Sequence, residues 1–400
     1  MSKKVLIMSA STGGGHNRAA RAIKEELESR TIDGMSIECE IVDSLKLVNN
    51  TIDKVISRGY EKSAIYTPKA FGSVYRFSET SIISKNEFKS NPLTSLMARK
   101  FKYLLNDSNP DLIIVTHPFP MIAISTLKKN KNIHSLNKTE ILHKSNNVDI
   151  PPMISVLTDY TTHSTWIQNE IDYYIVGHEY VKELLSYEGV KNEKIKAFGI
   201  PVEKSFLEHR NRDIVLKEFG LSPDKLTILL MGGSFGAGNI KETLEELLTI
   251  DRDFQIIVIT GRNEHLKDKL SKTLNSTVHN KNVCLLGYTN KMNDILASID
   301  VLISKPGGLT TTEALLNDVP MIVPYFIPGQ EEENLDFLTN YGAALRTTKK
   351  YSLPVLLKVL IDDPSRLDTL RKNIISIRKS DSAVNISNLV VDILNDNNQI

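Results

Sequence analysis

The chain has 400 residues, 41% of them hydrophobic and 24% charged, which is too long for one ordinary α/β core and excludes a disordered or fibrous protein by composition. Lys and Arg number 49 against 48 Asp and Glu, a formal charge of +1, so no global field steers it toward nucleic acid, and any pull toward an anionic surface is local. Cys39 and Cys284 are the only cysteines, which excludes a disulfide framework or a repeated metal knuckle and suits a reducing, cytoplasmic setting.

At the N-terminus two lysines precede a short apolar run at 5–8, far below the roughly 18–20 apolar residues of a spanning helix. From there, short β-branched runs alternate with helix-length amphipathic stretches, the pattern of parallel strands buried on both faces. Strands are predicted at 4–8, 37–42, 111–116, 154–157, 173–176 and 195–198, with a helix over 17–28. The polar segment 128–149, rich in Asn and Lys, reads as a surface loop. The rhythm restarts after Pro201, with strands predicted at 227–231, 255–259, 283–286, 301–303 and 321–323 and helices at 213–219, 239–248 and 292–297. Two α/β domains are therefore expected, at 1–204 and 205–370, with a helical region at 371–400 packing back across them.

Two glycine-rich turns each follow a predicted strand and precede a helix: Gly13-Gly14-Gly15-His16, and Gly232-Gly233-Ser234-Phe235-Gly236. Glycine lets the backbone approach an anion, and the helix start supplies free N–H groups and the positive end of its dipole. Such a turn alone is equally an ordinary structural one; two in a chain, one ending in a histidine, favour a ligand. Neither is the dinucleotide fingerprint or a P-loop. A third constellation runs Ser304-Lys305-Pro306-Gly307-Gly308-Leu309-Thr310-Thr311-Thr312-Glu313, followed by Pro328-Gly329-Gln330-Glu331-Glu332-Glu333-Asn334. The threonines suit phosphates and Glu313 a ribose; equally, Thr310 is readable as an N-cap with Glu313 its capping-box partner. Asp251-Arg252-Asp253 has the D-x-D form of metal-dependent transferases but sits in a helix-to-strand connection, where such charges are usually solvated.

In order and over nearly the whole chain, GGGH at 13–16, GGSFG at 232–236, LGY at 286–288, SKPGGLTTTEA at 304–314 and PGQEEEN at 328–334 resemble the monogalactosyldiacylglycerol synthase and processive diacylglycerol glucosyltransferase family. The resemblance implies a GT-B fold, two Rossmann-like domains facing a central cleft, and inverting hexose transfer from UDP-glucose or UDP-galactose to diacylglycerol or a glycosyl-diacylglycerol. It implies no cofactor and no metal: the UDP-sugar is a substrate. Carried onto this chain, it sets Gly233, Ser234, Thr310 and Thr311 near the phosphates, Tyr288 beside the uracil, Glu313 at the ribose, and Gln330 and Glu331 at the sugar hydroxyls with Asn334 in support. It sets Gly15, His117 and Pro118 on the acceptor side and makes His16 or Asp159 the general base.

Between 54 and 105 ten basic residues face three acidic ones, interleaved with Tyr and Phe, Phe101 and Tyr103 among them. That mixture suits an anionic membrane surface at the inner face of the cell membrane, with Arg99, Lys100 and Lys102 as its contacts. The bland reading is a solvated helix face; nucleic acid is not expected, because no recognition motif accompanies the patch. A nucleotide-sugar-binding protein or UDP-sugar epimerase, with no lipid acceptor, is the alternative function.

Overall fold

Strands with no polar position between their apolar residues need cover on both faces, and both sheets of this protein have it. The computed structural model describes residues 2–11, 14–32, 34–48, 92–136, 150–233 and 238–396. The chain separates into two compact units: one holds the described residues up to Glu203 together with those from Asp381 onward, the other Lys204–Ser380.

In the first unit the elements run β1 (Lys3–Ser9), α1 (Gly15–Glu28), β2 (Thr31–Ile32), β3 (Met35–Asp43), α2 (Ser44–Val48), α3 (Pro92–Ser108), β4 (Leu112–Val115), α4 (Pro118–Leu136), β5 (Met153–Val156), β6 (Tyr173–Ile175), α5 (Glu179–Tyr187) and β7 (Ile195–Lys196). The sheet order is β2-β3-β1-β4-β5-β6-β7, parallel except for the β2/β3 hairpin. Ala19, Ala20, Ile23 and Leu27 form the buried face of α1, and the small alanines let the helix lie close on the strands. Helix α4 overturns part of the expected loop, since 128–136 are helical; residues 137–149 lie outside the described residues. Polar composition alone does not end a helix, and no Gly or Pro interrupts that stretch.

The second unit continues with α6 (Arg212–Glu218), β8 (Thr227–Met231), α7 (Ile240–Leu248), β9 (Gln255–Ile259), α8 (Glu264–Ser276), β10 (Asn282–Leu286), α9 (Met292–Leu296), β11 (Val301–Ile303), α10 (Gly308–Leu316), β12 (Met321–Val323), α11 (Gln330–Asn340), β13 (Ala344–Arg346), α12 (Leu353–Asp362) and α13 (Pro364–Ile377). Its sheet, β10-β9-β8-β11-β12-β13, is wholly parallel. In order of appearance this is 3-2-1-4-5-6, the doubly wound order, with its switch point between β8 and β11. The last helix, α14 (Ser382–Asp396), returns to the first unit, where Ile386, Val390 and Leu394 join Ala20, Ile23 and Leu27 in one apolar cluster.

Candidate active site

In the first unit the switch point lies between β1 and β4, so the turns after these strands meet at the carboxyl edge, where open α/β sheets bind ligands. After β1, Gly14 takes φ 78°, and α1 starts at Gly15 with no side-chain cap. His16 is thereby fixed against the end of β4: its Nδ1 lies 2.7 Å from the carbonyl oxygen of Thr116 and 2.9 Å from Oγ1 of Thr158, while Thr116 Oγ1 donates to the His16 carbonyl at 3.2 Å. A carbonyl only accepts, so Nδ1 carries the proton and Nε2 is left as the basic nitrogen. Burial lowers the His16 pKa below 6.5, opposed by the negative charge of Asp159 and by the Thr116 carbonyl.

His117 meets His16 edge to face, ring centroids 4.6 Å apart. Its Nδ1 accepts from the backbone N–H of Phe119 at 3.1 Å, which caps α4 just before Pro118 opens that helix. Burial, and then the neighbouring His16, hold its pKa well below 6.5. Gly15, His16, His117, Pro118 and Asp159 thus gather at one edge of one sheet. Sequence reasoning missed Thr116 and Thr158, which fix the histidine; their only signal is a position at the end of a predicted strand.

Elsewhere in this unit, Met97, Phe101 and Leu105 form the buried face of α3, and Arg99, Lys100 and Tyr103 are exposed, with Lys102 partly buried. Phe101, counted in sequence among the rings of a membrane surface, is instead core, because it falls four residues from both Met97 and Leu105. The basic and aromatic positions from 54 to 89 lie outside the described residues. Among the described residues, no helix is long and apolar enough to cross a membrane, and no cluster of three or more His, Cys, Asp or Glu could hold a metal ion. Asp253 pairs with Lys225 at 2.8 Å, and Arg252 with Asp362.

In the second unit the turns after β8, β11 and β12 share the carboxyl edge. Gly233 has φ 70°, and a Cβ there would lie 3.4 Å from Cε of Lys305; Ser234 lies outside the described residues. Helix α10 begins at Gly308 with Gly307 as an extended N-cap, no side-chain cap and no acidic residue in its first turn. Thr310 is therefore not the cap, since the chain turns helical two residues earlier, at the glycines. Its side chain is partly buried, whereas Thr311 and Glu313 are buried, and the Thr311 hydroxyl has no hydrogen-bond partner.

Helix α11 is different at its start. Gly329 takes φ 108°, and Gln330 is followed by Glu331, Glu332 and Glu333 in the first turn, so this dipole end already has carboxylates. One oxygen of Glu331 pairs with the Lys305 ammonium and the other accepts from the backbone N–H of Ile327 at 2.9 Å. Asn334, fully buried, donates to the Pro306 carbonyl at 3.0 Å and so fixes the turn before α10. Tyr288, in the turn after β10, is 65% exposed, with the Arg262 guanidinium 5.2 Å from its ring centre. Lys305 was not singled out in sequence as a site residue; its sole signal is its place next to the Pro-Gly-Gly turn.

Residues 16–202 match the family model for monogalactosyldiacylglycerol (MGDG) synthase, and residues 227–375 that for the glycosyltransferase family 28 C-terminal domain. A processive diacylglycerol beta-glucosyltransferase of Bacillus pumilus (strain SAFR-032) is 30% identical over 391 residues, 98% of this chain and 95% of that one. Among solved structures, MurG of Acinetobacter baumannii gives a TM-score of 0.60 at 14% identity, over 97% of this chain and 99% of that one. UDP-GlcNAc 2-epimerase of Neisseria meningitidis, bound to UDP-GlcNAc, gives 0.55 at 14% identity, over 98% and 99%. At these identities the structural likeness is one of fold, the GT-B type, and fold alone does not fix activity. The sequence likeness goes further, because it extends along nearly the whole of both chains: this protein belongs to the monogalactosyldiacylglycerol synthase and processive diacylglycerol glucosyltransferase family of glycosyltransferases.

Proposed function

We propose that this protein is an inverting transferase that moves a hexose, glucose or galactose, from its UDP-sugar to diacylglycerol or a glycosyl-diacylglycerol at the inner face of the cell membrane. The observation that carries the reading is the start of α10, uncapped and free of acid at the switch point of its sheet, in a chain alike end to end to a processive diacylglycerol beta-glucosyltransferase. The three N–H groups of Gly308, Leu309 and Thr310, left over because that of Gly307 bonds the Lys305 carbonyl and that of Thr311 the Gly307 carbonyl, and a positive dipole end can take the charge of a departing diphosphate with no metal ion.

In this reading Gly233, Ser234, Thr310 and Thr311 receive the phosphates, the exposed ring of Tyr288 stacks on the uracil, and Glu313 binds the ribose. Gln330 and Glu331 read the sugar hydroxyls, and Asn334 supports them through the Pro306 carbonyl. Nε2 of His16 takes the proton of the acceptor hydroxyl as that oxygen bonds to the anomeric carbon; the bond from that carbon to the β-phosphate oxygen breaks, and UDP leaves with the electron pair. Asp159 stabilises the imidazolium so formed, in keeping with its effect on the His16 pKa. Gly15, His117 and Pro118 shape the acceptor side, and Arg99, Lys100 and Lys102 meet anionic headgroups.

The test is incubation with radiolabelled UDP-glucose, UDP-galactose or UDP-N-acetylglucosamine and vesicles containing diacylglycerol. A hexose donor is expected to give an organic-soluble labelled lipid. Label that stays wholly in water with every donor overturns the reading, and an epimerised sugar nucleotide there points to the acceptor-free alternative.

A further inference from the structure

The ion pair between Lys305 and Glu331 stands where two unlike helix starts come together. A Cβ on Gly307, the N-cap of α10, would lie 3.9 Å from Nζ of Lys305 and 3.9 Å from Oε1 of Glu331. Both side chains are largely withdrawn from water, 21% and 12% exposed, so the pair is weakly screened. A diphosphate at the acid-free start of α10 therefore meets a cation and a carboxylate already neutralising one another. Left paired, Glu331 faces the incoming anion at close range. Lys305 has a flexible stem and a compact charge, able to re-aim where an arginine fork is not. Glu331, by contrast, is anchored: Oε2 holds the Ile327 N–H at 2.9 Å whatever Oε1 does.

We propose that Lys305 is a donor-binding residue kept in reserve by Glu331: the diphosphate draws the ammonium off the carboxylate, and the Oε1 thus released accepts from a hydroxyl of the transferred sugar. The inference rests on the reading that α10 receives UDP. It makes the anionic half of the donor the key to the neutral half, because the carboxylate that reads the sugar becomes available only after a diphosphate has claimed its partner. Such coupling raises selectivity for a sugar nucleotide over free sugar with no moving domain, by exchange of one partner in a pair.

Calorimetric titration of the full chain with UDP tests this in the wild type, Lys305→Met, Glu331→Gln and the double variant, with thermal midpoints as the check on folding. Lys305→Met is expected to weaken UDP binding about 10- to 100-fold, the loss of a charge-assisted contact. Glu331→Gln keeps an acceptor for Ile327 and releases Lys305, so UDP is expected to bind about 3- to 10-fold tighter, while turnover of the UDP-sugar falls. In the Lys305→Met background, Glu331→Gln is expected to bring a clearly smaller gain, the relief of repulsion alone, and this non-additivity is the signature of exchange. The same gain with and without Lys305 would mean simple removal of repulsion and would overturn the inference, as would no gain in the single variant or unchanged affinity in Lys305→Met. Lys305→Gln serves in place of Lys305→Met should the apolar side chain disturb folding. Wild-type protein that does not bind UDP at all brings down the functional reading itself, whereas binding without the exchange brings down the inference alone.

Discussion

His16 owes its chemistry to what occupies one of its nitrogens. With Nδ1 committed to the Thr116 carbonyl, the ring offers a lone pair at Nε2 and resists protonation because it is buried. Replacement by Ala is expected to lower kcat about 10²- to 10⁴-fold, the usual contribution of general base catalysis, with UDP affinity unchanged. The acid limb of the kcat/KM profile is expected below pH 6.5, and Asp159→Asn should move it lower still, since the Asp159 charge raises this pKa; an upward shift refutes the electrostatic role. Stability follows the same groups. His16 and His117 are both depressed in the folded protein, so below the unfolded value of about 6.5 the unfolded chain binds protons the native one refuses. Stability from these two residues is therefore complete above that pH and is lost as pH falls toward their native values, at up to about 1.4 kcal/mol per pH unit for each, a slope that denaturant titrations at pH 5 and 7 would detect and that replacing His117 should lessen. At this scale the sequence is legible only in part. A histidine closing a glycine run stands out, but Thr116 and Thr158, 100 and 142 positions away from His16, look like any β-branched residue near a strand until parallel pairing aligns their ends.

Helices α10 and α11 show how elements of one kind acquire opposite tasks. Both begin without a side-chain cap, yet only α11 has acids in its first turn, which is why the proposed reading gives the anion to α10. Asn334, on α11, holds the turn that starts α10. Asn334→Ala is expected to cost about 1–3 kcal/mol of stability, the penalty of a buried carbonyl left unpaired, and to weaken UDP binding as well; weakened stability with untouched binding would separate the turn from the donor site. Helix α3 divides its roles by face, with Met97, Phe101 and Leu105 inward and Arg99 and Lys100 outward. Neutralising Arg99, Lys100 and Lys102 together is expected to weaken binding to phosphatidylglycerol vesicles by roughly 100-fold, at about 1 kcal/mol for each charge near the surface, with circular dichroism unchanged. Equal binding by the triple variant removes α3 from the membrane contact. Elements of this kind are legible from period and composition: strands expected at 227–231, 255–259, 301–303 and 321–323 appear at those positions. The failures have physical reasons as well. β2 is two residues long, too short for a period, β13 reads Ala-Leu-Arg with only its first residue buried and so lacks the apolar run that marks the equally short strands at 301–303 and 321–323, and the polar length of α4 has helical backbone where composition suggested a loop.

Each unit has its own core, and the first depends on residues from the far end of the chain. Apolar spacing in 365–394 announces helix faces, but period says nothing about which sheet a face will cover; α13 packs in the second unit through Leu367 and Leu370, and α14 in the first through Ile386, Val390 and Leu394. Ser382 ties that return by donating to the Gly199 carbonyl at 2.7 Å. Ile386, Val390 and Leu394 are fully buried, and at about 1.5–3 kcal/mol for each such side chain their loss rivals the roughly 5–15 kcal/mol stability of a whole domain. Truncation after Ser380 should therefore damage the first unit and spare the second, although the deleted segment is contiguous in sequence with the second. Calorimetry of the full chain is expected to resolve a transition that UDP raises, because a ligand stabilises the unit that binds it, and another that UDP leaves in place. In the truncated chain the UDP-insensitive transition should fall sharply or vanish while the UDP-responsive one persists. If truncation instead lowers the UDP-responsive transition, α14 does not serve the core to which its buried face assigns it.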